Sequence, residues 1–482
     1  VKLAIIGSGF AGLGMAIQLK KAGFDDFVVL EKDDDLGGTW RDNRYPGCAC
    51  DVPSHMYSFS YELNPGWSRM FAPQEEIWAY LRRCADKYGL APHIRYGAAV
   101  DSLEWDDEAR HWRVALGDGT MLTPRAVVSG MGALHVPSLP DIPGAEHFAG
   151  TAFHSAQWDH SCDLTGKRVA VIGTGASAVQ FVPKVAERAA SLRVFQRTPP
   201  WIQPKPDFVF PAWARAIFRC VPGAARAFRD VIYWVLEARA VGFTINPKLM
   251  APQEKLARAH LARQVPDPEL RAKVTPDYTI GCKRILLSGD YYPALSRPNV
   301  DVVTDAITEI TETGLVTADG TAHDMDVIIY GTGFKVTDAL AGQRIVGRGG
   351  VKIQEAWADG IEAHHGVTIA GFPNLFLLLG PNTGLGHNSV VFMIESQVQH
   401  VMSCLRLLAE DKADVIEVRP EAQRRFNRGL QRRLRKAVWN EGGCKSWYLD
   451  DKGVNRTLWP GFTFEYWART RRARRRDYVL SR

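Results

Sequence analysis

At 482 residues the chain is too long for one ordinary hydrophobic core, so two or three domains are expected. Hydrophobic content of 46% and charged content of 23% argue against a disordered chain, and no apolar run approaches the ~18 residues a spanning helix needs. The formal charge of +6, from 59 basic and 53 acidic residues, gathers near the end at Arg469, Arg471, Arg472, Arg474, Arg475 and Arg476. Without an aromatic stacking platform that run reads as a solvated tail or an arginine-rich last helix, with no nucleic-acid partner.

Residue 1 already begins a strand, which leaves no room for a signal peptide. The eight Cys are scattered and only Cys48 and Cys50 lie close together, without CxxC spacing or a second pair. Free thiols in a cytoplasmic protein, and no metal site, are the expectation. Lys2 to Ile6 reads as a short apolar strand, followed by Gly7-Ser-Gly9-Phe-Ala-Gly12, an apolar-periodic helix to Leu19, and a strand from Phe27 to Leu30 ending on Glu31. Strand, glycines, helix, strand and acid in that order spell a dinucleotide site. Gly7 allows the tight turn, Gly9 lets backbone approach a pyrophosphate, Gly12 lets the helix pack closely, and Glu31 can accept ribose hydroxyls, which suits FAD or NAD rather than NADP.

Gly37-Gly38-Thr39-Trp40, Tyr45-Pro46-Gly47 and Asp51 follow in a Gly- and Pro-punctuated loop, where they suggest packing around a flavin ring. A helix is expected over 75–88 and hairpin strands over 94–105 and 111–116. A buried strand over 126–129, closed by Gly130-Met-Gly132, returns the chain to the first sheet. Pro137, Pro140 and Pro143 make a stiff exit into Phe148 to Asp159 (FAGTAFHSAQWD). That stretch is too irregular for an amphipathic helix and too polar for a buried strand, and reads as the joint between two nucleotide units, with His154 structural.

A second unit opens with the strand 167–172 and Gly173-Thr174-Gly175-Ala176-Ser177-Ala178, Ala standing at the third glycine position. Its next strand, 192–196, ends on Arg197-Thr198 instead of an acid; an Arg there pairs with a 2′-phosphate, so the second cofactor is NADP. Strong helical periodicity through about 205–275 marks an insert walling a substrate pocket. Cys282-Lys283-Arg284 follows, then strands at 300–303 and 326–330. Gly331-Thr-Gly333 mirrors Gly130-Met-Gly132. A helix over 389–408, capped by Asn388 or Ser389, and a charged surface helix over 421–438 complete the reading. The expected organisation is α/β: a first FAD-domain part (1–136), a linker (137–160), an NADP domain with its helical insert (161–325), and a second FAD-domain part (326–482) ending in a mobile loop and basic tail.

These residues resemble the type I Baeyer–Villiger monooxygenases, within the class B flavin-dependent monooxygenases. The family fingerprint FxGxxxHxxxW, followed by Pro or Asp, is met by Phe148, Gly150, His154, Trp158 and Asp159; GGxW…YPG…D is met by Gly37, Gly38, Trp40, Tyr45, Pro46, Gly47 and Asp51. The resemblance runs to about Pro460 and implies two Rossmann-like domains. FAD would lie on the first, with Glu31 at the ribose and Gly38, Thr39, Trp40, Asp51 and Tyr57 near the flavin. NADP would lie on the second, using Thr174 to Gln180, with Arg197, Thr198 and Lys283 at the 2′-phosphate. The resemblance also makes Arg284 the main catalytic residue, set by Asp51, and Trp447, in Cys444-Lys-Ser-Trp-Tyr448, the mobile-loop Trp over NADP. It implies insertion of one oxygen atom of O2 beside a ketone carbonyl through a C4a-peroxyflavin, giving an ester or lactone, with thioether oxidation as a side activity.

Overall fold

Leu3–Ile6 is buried at every position, which is how a strand covered on both faces of a parallel sheet reads. In the computed structural model, which describes residues 2–336, 342–444 and 446–482, this strand is central. It pairs in parallel with Phe27–Leu30 on one side and Ala126–Ser129 on the other; Ile94–Arg95 and Leu375–Leu377 complete five strands. The helix Phe10–Lys21 is buried nearly all round, because it lies between this sheet and the long helix Val390–Glu410. Ser389 caps the latter by accepting the Val391 N–H.

The second unit repeats the plan. Arg168–Ile172 is central, flanked by Ser191–Phe195 and Val327–Tyr330, with Val300–Val303 and Thr151–His154 at the edges, all parallel. Each unit carries a small second sheet: Val100–Asp106, His111–Leu116 and Met121–Leu122, antiparallel, with Arg344–Val346 added in parallel beside Val100–Asp106, in the first, and antiparallel Ile307–Thr311, Gly314–Thr317 and Ala322–Asp324 in the second.

Five expectations change. The fingerprint stretch is not only a joint: Thr151–His154 is an edge strand of the second sheet, taking the place that Leu375–Leu377 takes in the first. Thr151 and Ala152 are exposed, so the polar character that argued against a strand is that of a sheet edge. The boundary at 325/326 falls too early, because Val327–Tyr330 pairs inside the second sheet. The single strand expected over 94–105 is two, Ile94–Arg95 in the parallel sheet and Val100–Asp106 in the hairpin. The arginine run is no tail: it joins the helix Thr463–Thr470 to the strand Tyr478–Ser481, which pairs antiparallel with Val415–Val418 through a buried Tyr478. Finally, Cys282 and Cys444 form a disulfide with Cα atoms 6.1 Å apart, whereas Cys48, Cys50, Cys84, Cys162, Cys220 and Cys404 are free. A separation of 162 residues leaves no spacing signal from which to read that pair.

The insert contains the helices Ala212–Cys220, Ala224–Ala238, Ala240–Thr244, Ala251–Gln264 and Pro268–Lys273. Two buried charges on Ala224–Ala238 dock it against the rest of the fold. Arg229 donates to the carbonyls of His55 (2.6 Å), Met56 and Ser58, and Glu237 accepts from Asn388 Nδ2 (2.7 Å) and Thr463 Oγ1 (2.8 Å). Among the described residues no helix is long and apolar enough to cross a membrane.

Candidate active site

Both glycine loops stand where a central strand turns into its helix, and the turns are built alike. Gly7 has φ of 90° and a Cβ there would sit 2.9 Å from Gly130 O; Gly173 has φ of 106° and its Cβ would sit 2.5 Å from Gly331 O. The mirrored Gly130 and Gly331 turns are thus the walls against which the loops close. At Gly9 and Gly175 an added Cβ meets no protein atom closer than 3.8 Å; the space belongs to a cavity of about 1510 Å³ spanning both loops. Gly9 and Gly175 are also the N-caps of Phe10–Lys21 and Ala176–Ala186, whose first N–H groups face that cavity as an anion site does.

The cavity is lined by most of the residues named from the sequence: Gly7, Gly9, Glu31, Gly38, Thr39, Trp40, Asp51 and Tyr57 from the first unit, and Gly173 to Ser177, Gln180, Arg197, Thr198, Lys283, Arg284 and Trp447 beyond it. Gly12 and Ala178 do not line it. A Cβ on Gly12 would lie 1.8 Å from Gly7 O, and Ala178 is fully buried beside Gly331, so both serve the close packing beneath the loops.

Glu31 is buried and already engaged. Its carboxylate accepts the Ser8 N–H (3.0 Å), the Ser8 hydroxyl (2.5 Å) and the Asp33 N–H (3.2 Å), with Arg41 Nη1 3.0 Å away. Burial pushes its carboxyl up, but these bonds and the Arg41 charge hold it below the usual range. A ribose hydroxyl would share this carboxylate with Ser8. Arg41, itself buried, is a site residue the motif reading passed over. Trp40 Nε1 donates to the Tyr57 hydroxyl (3.2 Å) and fixes the two rings edge to face.

In the second unit Thr174 donates its hydroxyl to Thr198 O (3.1 Å), which ties the loop to the end of the neighbouring strand. Lys283 packs its ammonium over Tyr278, 5.0 Å from the ring centre. Burial and the neighbouring Arg197 charge lower its proton affinity, with Asp277 offsetting part of the loss. Two cations sharing a wall in this way fit a dianionic ligand.

Arg284 and Asp51 form a paired contact across 233 residues of sequence: Nε to Oδ2 at 2.6 Å and Nη2 to Oδ1 at 2.7 Å. Their side chains are 36% and 26% exposed, and both line the large cavity and a second one of about 350 Å³. Burial alone would raise the Asp51 carboxyl, but the Arg284 charge and hydrogen bonds hold it below the usual range; Asp51 in turn raises the guanidinium further. Tyr448 lies beside the pair, its hydroxyl pushed up to about 12 by burial against the opposing Arg284 charge. Trp447 is 53% exposed and packs edge-on against Tyr448, 4.6 Å between ring centres. Lys445 of that motif lies outside the described residues.

Gln180 does something the sequence did not suggest. Its amide oxygen accepts from the Tyr45 hydroxyl (3.2 Å) and the Ala49 N–H (3.1 Å), and its amide nitrogen donates to Ala49 O (3.0 Å). The side chain bonds the first unit's YPG loop to the second unit's helix. Rings extend the joint: Tyr45 packs on Phe181, Phe181 on Trp158, and Trp158 on Phe153. The two fingerprints therefore meet through Phe181. Asp159 closes a local turn by accepting the Ser161 N–H (2.9 Å) and hydroxyl (2.6 Å), and His154 Nδ1 accepts the Ala156 N–H (3.1 Å).

With this geometry established, known proteins give it a context. The family model described as pyridine nucleotide-disulphide oxidoreductase matches residues 4–219. A Baeyer-Villiger monooxygenase of Pseudomonas aeruginosa is 51% identical over 481 residues, covering 100% of this chain and 91% of its own length. One from Streptomyces coelicolor is 48% identical over 483 residues, covering 100% and 93%. The crystal structure of OTEMO in complex with FAD and NADP superposes with a TM-score of 0.88 at 28% identity, over 100% of this chain and 99% of the other.

Proposed function

The chain belongs to the Baeyer–Villiger monooxygenases, and from that premise we propose which of its residues carry the reaction and how. It is an FAD- and NADP-dependent enzyme that oxidises a ketone to an ester or lactone. Its residues fit both cofactors. The open space over Gly9 and over Gly175, each at a helix N-terminus, suits two pyrophosphates. Glu31 would hold the ribose of FAD, and Arg197, Thr198 and Lys283 the 2′-phosphate of NADP, for which the like-charged pair of cations is the supporting observation. The chemistry the bound pair supplies is hydride transfer and activation of O2.

Arg284 supplies the rest. Asp51 accepts hydrogen bonds from the Nε–H and one Nη2–H and so fixes the guanidinium plane, leaving the other N–H groups for the cavities. A fixed cation there stabilises negative charge as it develops on the substrate carbonyl oxygen, with no reorganisation at the moment of attack. Arg keeps its charge at any working pH, where an ammonium need not. Tyr448 is buried beside the pair, and Trp447 packs on it at the wall of the large cavity. The 350 Å³ cavity, walled by the insert residues Leu236, Phe243, Leu249 and Met250, receives the ketone.

The observation that carries this reading is the paired Arg284–Asp51 contact at the meeting of a cofactor-sized and a substrate-sized cavity. NADPH and O2 consumption against aliphatic, cyclic and aryl ketones, with a thioether in parallel and products identified, tests it. Ester or lactone in proportion to NADPH consumed is the expected result. Sulfoxide alone, or NADPH oxidation with no oxygenated ketone product, would overturn the assignment.

A further inference from the structure

The smaller cavity contains two guanidinium groups in unequal circumstances. Arg284 is neutralised by Asp51. Arg239, at the junction of the insert helices Ala224–Ala238 and Ala240–Thr244, has no such partner: among the described residues no carboxylate pairs with its side chain and no group accepts a hydrogen bond from it. The nearest acid in sequence, Glu237, is buried and engaged by Asn388 and Thr463, with His387 Nε2 3.7 Å away. The cavity wall is largely apolar; among its polar members beside His387, Gln203 and Gln253 are bonded to each other (2.8 Å) and Asn388 to Glu237 (2.7 Å). Desolvation lowers the proton affinity of Arg239, and no neighbouring acid offsets it. The Arg239 guanidinium keeps its contact with solvent and lines the cavity without a partner, so a carboxylate that enters with the ligand meets an unpaired planar fork there. The cofactors are not that anion's source, since Arg239 lines the smaller cavity and not the large one.

We propose that Arg239 is a specificity residue that binds a carboxylate on the substrate, so that the preferred ketones are oxo acids whose carboxylate lies against Arg239 while the carbonyl faces Arg284. This rests on the smaller cavity being the ketone site. A planar fork-to-fork contact would fix the substrate at the end remote from the reacting carbon, and so select which oxo acid chain lengths place the carbonyl correctly.

The test compares a medium-chain oxo acid with its primary amide, the same ketone without the charge, in the wild-type holoenzyme, in Arg239→Met and in Arg239→Lys. Wild type is expected to favour the acid about 10- to 100-fold in kcat/KM, the range for a charge-assisted pair. In Arg239→Met that preference collapses toward unity through a rise in KM for the acid, and Arg239→Lys keeps part of it. FAD content and the KM for NADPH report whether each variant is intact. Equal kcat/KM for acid and amide in the wild type, or an unchanged preference in Arg239→Met, overturns the inference while leaving the ketone reaction standing. Oxygenation of neither compound, with NADPH still oxidised, overturns the parent reading and this one with it.

Discussion

At Arg284 the shape of the cation matters as much as its charge. The two bonds to Asp51 need a planar fork, which Lys lacks. Arg284→Lys is therefore expected to keep oxidising NADPH but to release hydrogen peroxide, with ester formation down ~10²–10³-fold, the usual cost of one preorganised donor. Parallel assays of peroxide and ester decide it; ester yield near wild type would remove Arg284 from its role. Because the Asp51 carboxyl lies below the ordinary range, the pair is intact above that range and is lost only as pH falls through the lowered value, so Asp51 does not set an acid limb near neutrality. Arg197→Ala should raise the KM for NADPH about 10- to 100-fold and narrow the preference over NADH; an unchanged NADPH:NADH ratio would place the 2′-phosphate elsewhere. Residues of this kind were legible because a motif fixes their chemistry at a fixed offset. Arg41, Tyr448 and Arg239 were not, since each owes its importance to neighbours that no local pattern connects to it.

At the scale of elements, the joint is the loop 45–49 held against the helix Ala176–Ala186, with Thr151–His154 as the edge strand beside it. Gln180→Ala removes three hydrogen bonds between the units at about 1 kcal/mol each and trims one side chain from the wall of the large cavity. The expected result is a melting temperature a few degrees lower and slower flavin reduction by NADPH at saturating cofactor; unchanged reduction in stopped flow would make the contact purely structural. Strands, glycine turns and the helix cap at Ser389 could be read from the chain because each is decided within a few residues. The membership of Thr151–His154 and Val327–Tyr330 in one sheet could not, because strand pairing is settled by partners far along the chain.

Across the whole molecule, buried imidazoles set how stability varies with pH. Burial pushes His55 down to about 4, with the Arg229 charge adding to it, and His400 down to about 4; His364 is pushed to about 3. Unfolded, each would take a proton as pH falls through about 6.5, which the native state refuses until far lower. Their contribution to stability is thus complete above the ordinary histidine range and lost as pH falls toward 4, at up to ~1.4 kcal/mol per pH unit for each group. The holoenzyme's melting temperature should fall steadily from pH 7.5 to 5; a flat profile would mean these histidines titrate normally.

The Cys282–Cys444 bridge makes a closed ring of the chain between them. That ring runs from the segment before Arg284, through the second unit's strands Val300–Val303 and Val327–Tyr330, into the first unit's Leu375–Leu377 and Val390–Glu410, and back to the loop that bears Trp447. A ring of this length removes ~5 kcal/mol of chain entropy from the unfolded ensemble. A single cut anywhere along it opens the circle without separating the pieces. The bond ties the loop that bears Trp447 covalently to the segment that carries Arg284, so neither can be displaced without the other.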